Sequence, residues 1–269
     1  MRRVAAANRG KGNTQAVSAI PVLFSFARSG GTLANQLLGV HPSCLVLSEV
    51  NPAASFKPVA EQAYQWLGLA TRDEAPQLAR LPYREQIARL HERALSSGRS
   101  LVVRDWVTVN FLDGTSEAVT PSGELEQLLY LGREGLAATP LVVTRRAAAV
   151  YRSIVKNFGQ MRDLAVDSFA RAYVAYARAV CPFPRIHLES LRAAPEDGVA
   201  RMLECFQLDA SAAPAMLRDF HEFRRCTGNT TLEGFGGSAD ARQVLPPEPV
   251  AALSDPGLEE ADRLLGYDA

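Results

Sequence analysis

The chain has 269 residues, 47% of them hydrophobic, and a formal net charge of zero. That is enough apolar material for a sizeable α/β core and excludes wholesale disorder. The missing basic excess argues against a nucleic-acid partner.

The leader MRRVAAANRGKGNTQAVS is basic but has no apolar central run, so it reads as a flexible tail over residues 1–19 rather than a signal peptide. One domain is expected over 20–269. Five short apolar runs follow: PVLFSF (21–26), CLVLSE (44–49), LVVRDW (101–106), PLVVTR (140–145) and RIHLES (185–190). Val, Leu and Ile are nearly continuous in most of them, as in strands covered on both faces. Helical patterns separate the runs. Leu33, Leu37 and Leu38 line a first helix that ends at His41-Pro42. Ile87, Leu90 and Leu95 line a second over 83–98, and further helices follow the fourth and fifth strands. This alternation predicts an α/β fold, a three-layer doubly wound parallel sheet of about five strands. Ligands in such sheets lie at the carboxyl ends of the strands. The region 210–250, rich in Gly and Pro, is a candidate lid. Cys44, Cys181, Cys205 and Cys226 have no C-x-x-C spacing, which argues against a zinc site or a disulfide framework and fits a cytoplasmic location. No apolar run approaches a membrane span, and no membrane partner is expected.

The stretch FSFARSGGTLANQLL (24–38) joins the first strand to the first helix. Aligned with the nucleotide-hydrolysing loop G-x-x-x-x-G-K-[ST], it places Ser25 at the first Gly, Gly30 at the second, Gly31 at the Lys and Thr32 at the hydroxyl. The lysine is replaced by a residue without a side chain, and the positive charge stands at Arg28. The amides of Gly30, Gly31, Thr32 and Leu33 are expected to point at an anion, helped by the positive end of the following helix. By itself this loop is equally compatible with an unliganded turn. A second feature favours the ligand. Arg145 stands at the end of the fourth strand, where a ligand would lie, and Ser153 follows eight residues later in the next helix. Arg and Ser together suit a compact dianion such as a phosphomonoester.

These two stretches resemble the motifs of P-loop sulfotransferases. The family's R/K-S-G-T-T-L is similar to Arg28-Ser29-Gly30-Gly31-Thr32-Leu33. Its R-D-P-R-x-x-V-x-S keeps the outer Arg145 and Ser153 here but loses the inner D-P-R. Leu188-Glu189-Ser190-Leu191, Pro195-Glu196, Gly228-Asn229 and Gly266-Tyr267 echo later family features. The resemblance implies a P-loop-type sheet of order 2-3-1-4-5. It implies the sulfuryl donor 3′-phosphoadenosine 5′-phosphosulfate (PAPS), no required metal, and a small-molecule acceptor. The loop would cradle the 5′-phosphosulfate, Arg28 would stabilise the leaving oxygen, and Arg145 with Ser153 would hold the 3′-phosphate. Some family members use a His after the third strand as general base; here that place reads Arg104-Asp105-Trp106. Others use a Glu after the second strand, which selects Glu49, with Asp105 in reserve. Arg104 either assists the sulfonate or pairs with Asp105. His41 is expected at a helix end, His91 on an exposed helix face, and His187 in the core. Arg224 and Arg225 are candidates for a lid. Phe56, Tyr64, Trp66, Trp106 and Phe111 are candidates for the acceptor pocket. The alternatives are a phosphotransferase on the same scaffold, which Gly31 disfavours, and a non-catalytic nucleotide-binding descendant.

Overall fold

The computed structural model describes residues 19–230 and 255–267. Residues 1–18 of the tail expected over 1–19, and residues 231–250 of the candidate lid, lie outside the described residues. The strands are β1 (Ile20–Ser25), β2 (Cys44–Val50), β3 (Ser100–Asp105), β4 (Ala138–Thr144) and β5 (Arg185–His187). All pair in parallel, in the order β2-β3-β1-β4-β5. The helices are α1 (Gly31–Val40), α2 (Val59–Gln62), α3 (Ala75–Ala79), α4 (Tyr83–Ser96), α5 (Glu126–Arg133) and α6 (Ala147–Asn157). They continue with α7 (Val166–Val180), α8 (Leu188–Ala193), α9 (Pro195–Phe206), α10 (Ala213–Asp219) and α11 (Pro256–Leu264).

Central β1 is buried at all six positions, which is why its sequence shows no polar alternation. One face of the sheet carries a core built on Phe26, whose ring meets those of Tyr173 and Tyr176 at centroid distances of 5.0 and 5.1 Å. The other face carries Leu37, Leu38, Met202 and Leu203. Each such side chain contributes about 1.5–3 kcal/mol of burial. With β3 on one side of β1 and β4 on the other, successive connections leave in opposite directions. A crevice therefore opens at the carboxyl ends of the central strands.

Two expectations need correction. The fifth strand stops at His187, and residues 188–190 belong to α8, because the chain turns into a helix where β4 no longer offers a partner. His91 is 2% exposed rather than on the outer face of its helix, since α4 packs that side against β3.

Helix α11 returns the chain to the β4–β5 side. Arg185 Nη1 donates to the Leu264 carbonyl at 2.8 Å, and His187 Nε2 lies 2.9 Å from the Leu265 carbonyl. Gly257 sits close enough to Ala170 of α7 that a Cβ there would stand 3.0 Å from the alanine methyl.

Candidate active site

A cavity of about 320 Å³ lies at the carboxyl edge of the sheet, and each of the five strands delivers a residue to it. β1 leads to Arg28, β2 carries Glu49, β3 carries Arg104, β4 leads to Arg145, and β5 runs into Leu188 and Arg192 of α8.

The β1–α1 loop forms its floor. Gly30 has φ 98°, and a Cβ there would stand 2.7 Å from Leu188 Cδ1, so only glycine fits the turn. A Cβ on Gly31 would overlap the Ser25 hydroxyl and stand 3.0 Å from Arg104 Nε. The lysine of a nucleotide-hydrolysing loop therefore has no room here, and the space next to Gly31 belongs to an arginine from β3. Helix α1 has no side-chain cap and no acidic residue in its first turn. Among the described residues no side chain caps its amide end, which is the kind of helix end that can accept an anion.

Helix α6 is the contrast. Its Ala147 amide donates to Asp262 Oδ1 of α11 at 2.7 Å, and the Arg146 amide donates to Glu189 Oε1 at 3.3 Å. That pole is satisfied internally. Arg145, just before it, instead reaches into the cavity, and its Nη1 donates to the Arg28 carbonyl at 3.3 Å. Tyr173 fixes the junction by donating its hydroxyl to the Arg145 carbonyl at 2.8 Å.

Arg28 has φ 68°, a strained value for a residue with a Cβ. Its Nε donates to Ser153 Oγ at 2.9 Å. Ser153 thus meets Arg28 directly, and Arg145 meets the Arg28 backbone, so the three groups expected on two phosphates form one cluster. Burial lowers the pKa values of Arg28 and Arg145; a second effect on Arg145 is the neighbouring charge of Arg192. Both shifts mean that an anion would be welcome. Among the described residues four arginines line the cavity against one carboxylate, Glu49.

Glu49 owes its position to a bulge. Pairing of β2 with β3 slips between Leu47 and Val50, and Glu49 takes φ 50°. A bulge re-aims a side chain at the cost of ladder hydrogen bonds. The buried Gln62 replaces two of these: its Oε1 accepts from the Ser48 amide at 2.7 Å and its Nε2 donates to the Ser48 carbonyl at 2.8 Å. Arg104 Nη2 donates to Glu49 Oε1 at 2.7 Å. The arginine is nearly enclosed, so removing the glutamate would leave a buried charge without this partner. Arg104 therefore pairs with Glu49 and not with its neighbour Asp105.

Asp105 turns away from the cavity. Its Oδ1 accepts from Asn51 Nδ2 at 2.8 Å, and the same amide nitrogen donates to Asn110 Oδ1 at 2.6 Å. Burial raises its pKa to about 8, despite the bond from Asn51. This carboxyl is held neutral beneath the turn that carries Glu49. Asn51 secures that turn by accepting from the Ala53 amide at 2.9 Å.

Of the predicted loop residues, Arg28, Gly30, Gly31, Thr32 and Leu33 line the cavity with Glu49 and Arg145. Ser29 is fully buried behind them. Thr227, Gly228 and Asn229 bring the late glycine loop over α1, with Thr32 Oγ1 3.4 Å from the Thr227 carbonyl. Arg224 and Arg225 do not line the cavity; Arg225 Nη1 donates to the Trp66 carbonyl at 3.2 Å. Arg192 does line it, and sequence reasoning missed it. Its only signal was a basic residue one turn beyond the end of the fifth strand. Among the aromatic candidates Phe56 and Trp106 line the cavity. Tyr64, Trp66 and Phe111 do not, and Phe111 packs in the core against Tyr176 at 5.7 Å.

The assembly is a doubly wound sheet with an arginine-lined cavity at its topological switch point. Solved structures with the same architecture give that class a narrower description. The sulfotransferase domain of the Synechococcus PCC 7002 olefin synthase superposes with a TM-score of 0.56 at 14% identity, covering 93% of this chain and 95% of that one. The sulfotransferase domain of the curacin biosynthetic pathway gives 0.59 at 17% identity, over 93% and 98%. The chain has the sulfotransferase-domain fold, as the resemblance of its motifs implied. No protein-family model and no curated protein matches it in sequence.

Proposed function

We propose that the protein is a sulfotransferase that moves a sulfuryl group from PAPS to a hydroxyl or amine of a small-molecule acceptor. One observation carries this reading. The Arg28–Leu33 loop and Arg145 line a single cavity under an uncapped helix end, where no lysine can be accommodated. A site with four arginines and one glutamate fits a polyanionic nucleotide.

In this reading the amides of residues 30–33 hold the 5′-phosphosulfate. Arg145 and Ser153 hold the 3′-phosphate, and Arg192 adds charge beside Arg145. Bound PAPS supplies the sulfuryl group, whose bond to the phosphate oxygen breaks as a new bond to the acceptor oxygen or nitrogen forms. Arg28 meets the negative charge that develops on the leaving oxygen. Glu49, with Oε1 held by Arg104, takes the acceptor's proton on Oε2. A phosphotransferase is less well supported. Gly31 leaves no room for the required lysine, and Asp105 faces away from the cavity.

Calorimetry tests the donor assignment. Arg145→Ala should weaken binding of 3′,5′-adenosine bisphosphate by at least about tenfold, the scale of one lost charge-assisted hydrogen bond, while AMP changes far less. Equal losses for the two nucleotides would remove Arg145 from the 3′-phosphate.

A further inference from the structure

The turn that carries Glu49 has a further support, which comes from late in the chain. The segment 223–229 crosses helix α1. Gln36 Nε2 of that helix donates to the Phe223 carbonyl at 3.1 Å, and a Cβ on Gly39 would stand 2.4 Å from the Phe223 ring, so the ring lies against the helix backbone. Thr227, buried, then bridges α1 and the end of β2. Ser48, the residue before Glu49, is fully buried, and each of its polar groups is engaged. Gln62 takes its amide and its carbonyl. Its Oγ accepts from the Thr227 amide at 3.1 Å and from Arg104 Nη1 at 3.3 Å, and lies 2.8 Å from Thr227 Oγ1. Both lone pairs of that oxygen are therefore used, and its proton goes to Thr227 Oγ1. Arg104 Nη1 also reaches the Thr227 carbonyl at 3.4 Å, while Nη2 holds Glu49 Oε1. One planar guanidinium thus ties the carboxylate to Ser48 and Thr227. We infer that Thr227 is a positioning residue for the reaction: its hydroxyl seats Ser48, and through Ser48 and Arg104 it fixes the direction of the Glu49 carboxylate. This rests on the sulfotransferase reading with Glu49 as base, and adds to it a residue that does not itself line the cavity.

Thr227→Val provides the test. It keeps the shape, the amide and the carbonyl, and removes the acceptor of the Ser48 proton, which is then stranded in a buried site. Hydrogen exchange reads the seat without any acceptor. The amides of residues 48–56 should exchange about five- to tenfold faster in the variant than in wild type, the scale of one lost buried hydrogen bond, while those of β1 and β4 stay alike. Kinetics with PAPS, using 2-naphthol as a hydroxyl probe and phenethylamine as an amine probe, reads the consequence. Thr227→Val should lower kcat about tenfold, with the acceptor KM and the calorimetric affinity for 3′,5′-adenosine bisphosphate nearly unchanged, and Thr227→Ser should restore kcat. In a Glu49→Gln background the same substitution should lower kcat no further, because the group it aims is gone. Additive losses in the double variant would overturn the inference, as would a nucleotide affinity that falls in step with kcat, or unchanged exchange over residues 48–56. Failure of wild type to bind 3′,5′-adenosine bisphosphate or to use either probe would instead sink the sulfotransferase reading, and the exchange comparison would then decide whether Thr227 seats the turn.

Discussion

At the scale of single residues, the site is built on conformations that cost energy. Among the described residues only Arg28, Glu49 and Gln207 combine a side chain with positive φ, and the first two line the cavity. Such strain persists only where neighbours over-determine it. Ser153 and Arg145 do so for Arg28; Gln62 and Arg104 do so for Glu49. Removing the negative charge of Glu49 while keeping its shape separates chemistry from architecture. Glu49→Gln retains an oxygen for Arg104 and should bind 3′,5′-adenosine bisphosphate nearly as well as wild type. Its turnover should fall by roughly 10²–10⁴, the span for a lost general base. Steady-state kinetics with matched calorimetry checks this, and wild-type turnover in the variant would rule Glu49 out as the base. The candidate Glu49 was legible through the family resemblance, which places a glutamate after the second strand. The bulge that aims it was not, because the register slip depends on Gln62, which lies thirteen residues downstream and carries no local signal.

Among the elements, α1 and α6 both begin at the carboxyl edge but differ in what satisfies their first turn. The α1 end is open, whereas Asp262 of α11 occupies that of α6. The positions of β1 to β4 and α1 could be read from apolar runs and the glycine pair, because buried parallel strands leave a continuous hydrophobic record. The clamp from α11 could not, since it joins positions 115 apart in sequence and involves a surface-type aspartate. Tyr267 belongs to the same clamp: its hydroxyl donates to Glu189 Oε2 at 2.9 Å, and its ring stacks on His187 at 4.1 Å. Asp262→Ala should leave the Ala147 amide uncapped and cost about 0.5–2 kcal/mol, the range for a lost cap. Because Arg145 stands directly before α6, the affinity for 3′,5′-adenosine bisphosphate should fall too, with little effect on the acceptor KM. Urea denaturation and calorimetry together check this. An unchanged urea midpoint would mean that the clamp contributes nothing to stability.

For the whole molecule, Asp105 couples the site to the pH dependence of folding. The carboxyl lies under the β2–β3 edge of the cavity, with Asn51 bonded to it and Tyr83, Tyr176 and Glu126 facing it electrostatically. Burial is the main cause of its raised pKa, about 8 against an unfolded value of about 3.9. Between these two values the native state binds the proton and the unfolded chain releases it. Stability therefore declines as pH rises through this window, and the decline ends above about 8, where both states are ionised. The ordinary salt-bridged carboxylate has the opposite slope. Asp105→Asn keeps the shape and the neutral charge but has no proton to lose, so it removes this contribution and leaves every other titrating group in place. The difference in urea midpoint between the variant and wild type should therefore grow in the variant's favour from pH 5 to pH 8 and then level off. Parallel curves across that range would show that Asp105 titrates alike in the folded and unfolded chain, and that the turn under Glu49 does not depend on a neutral acid.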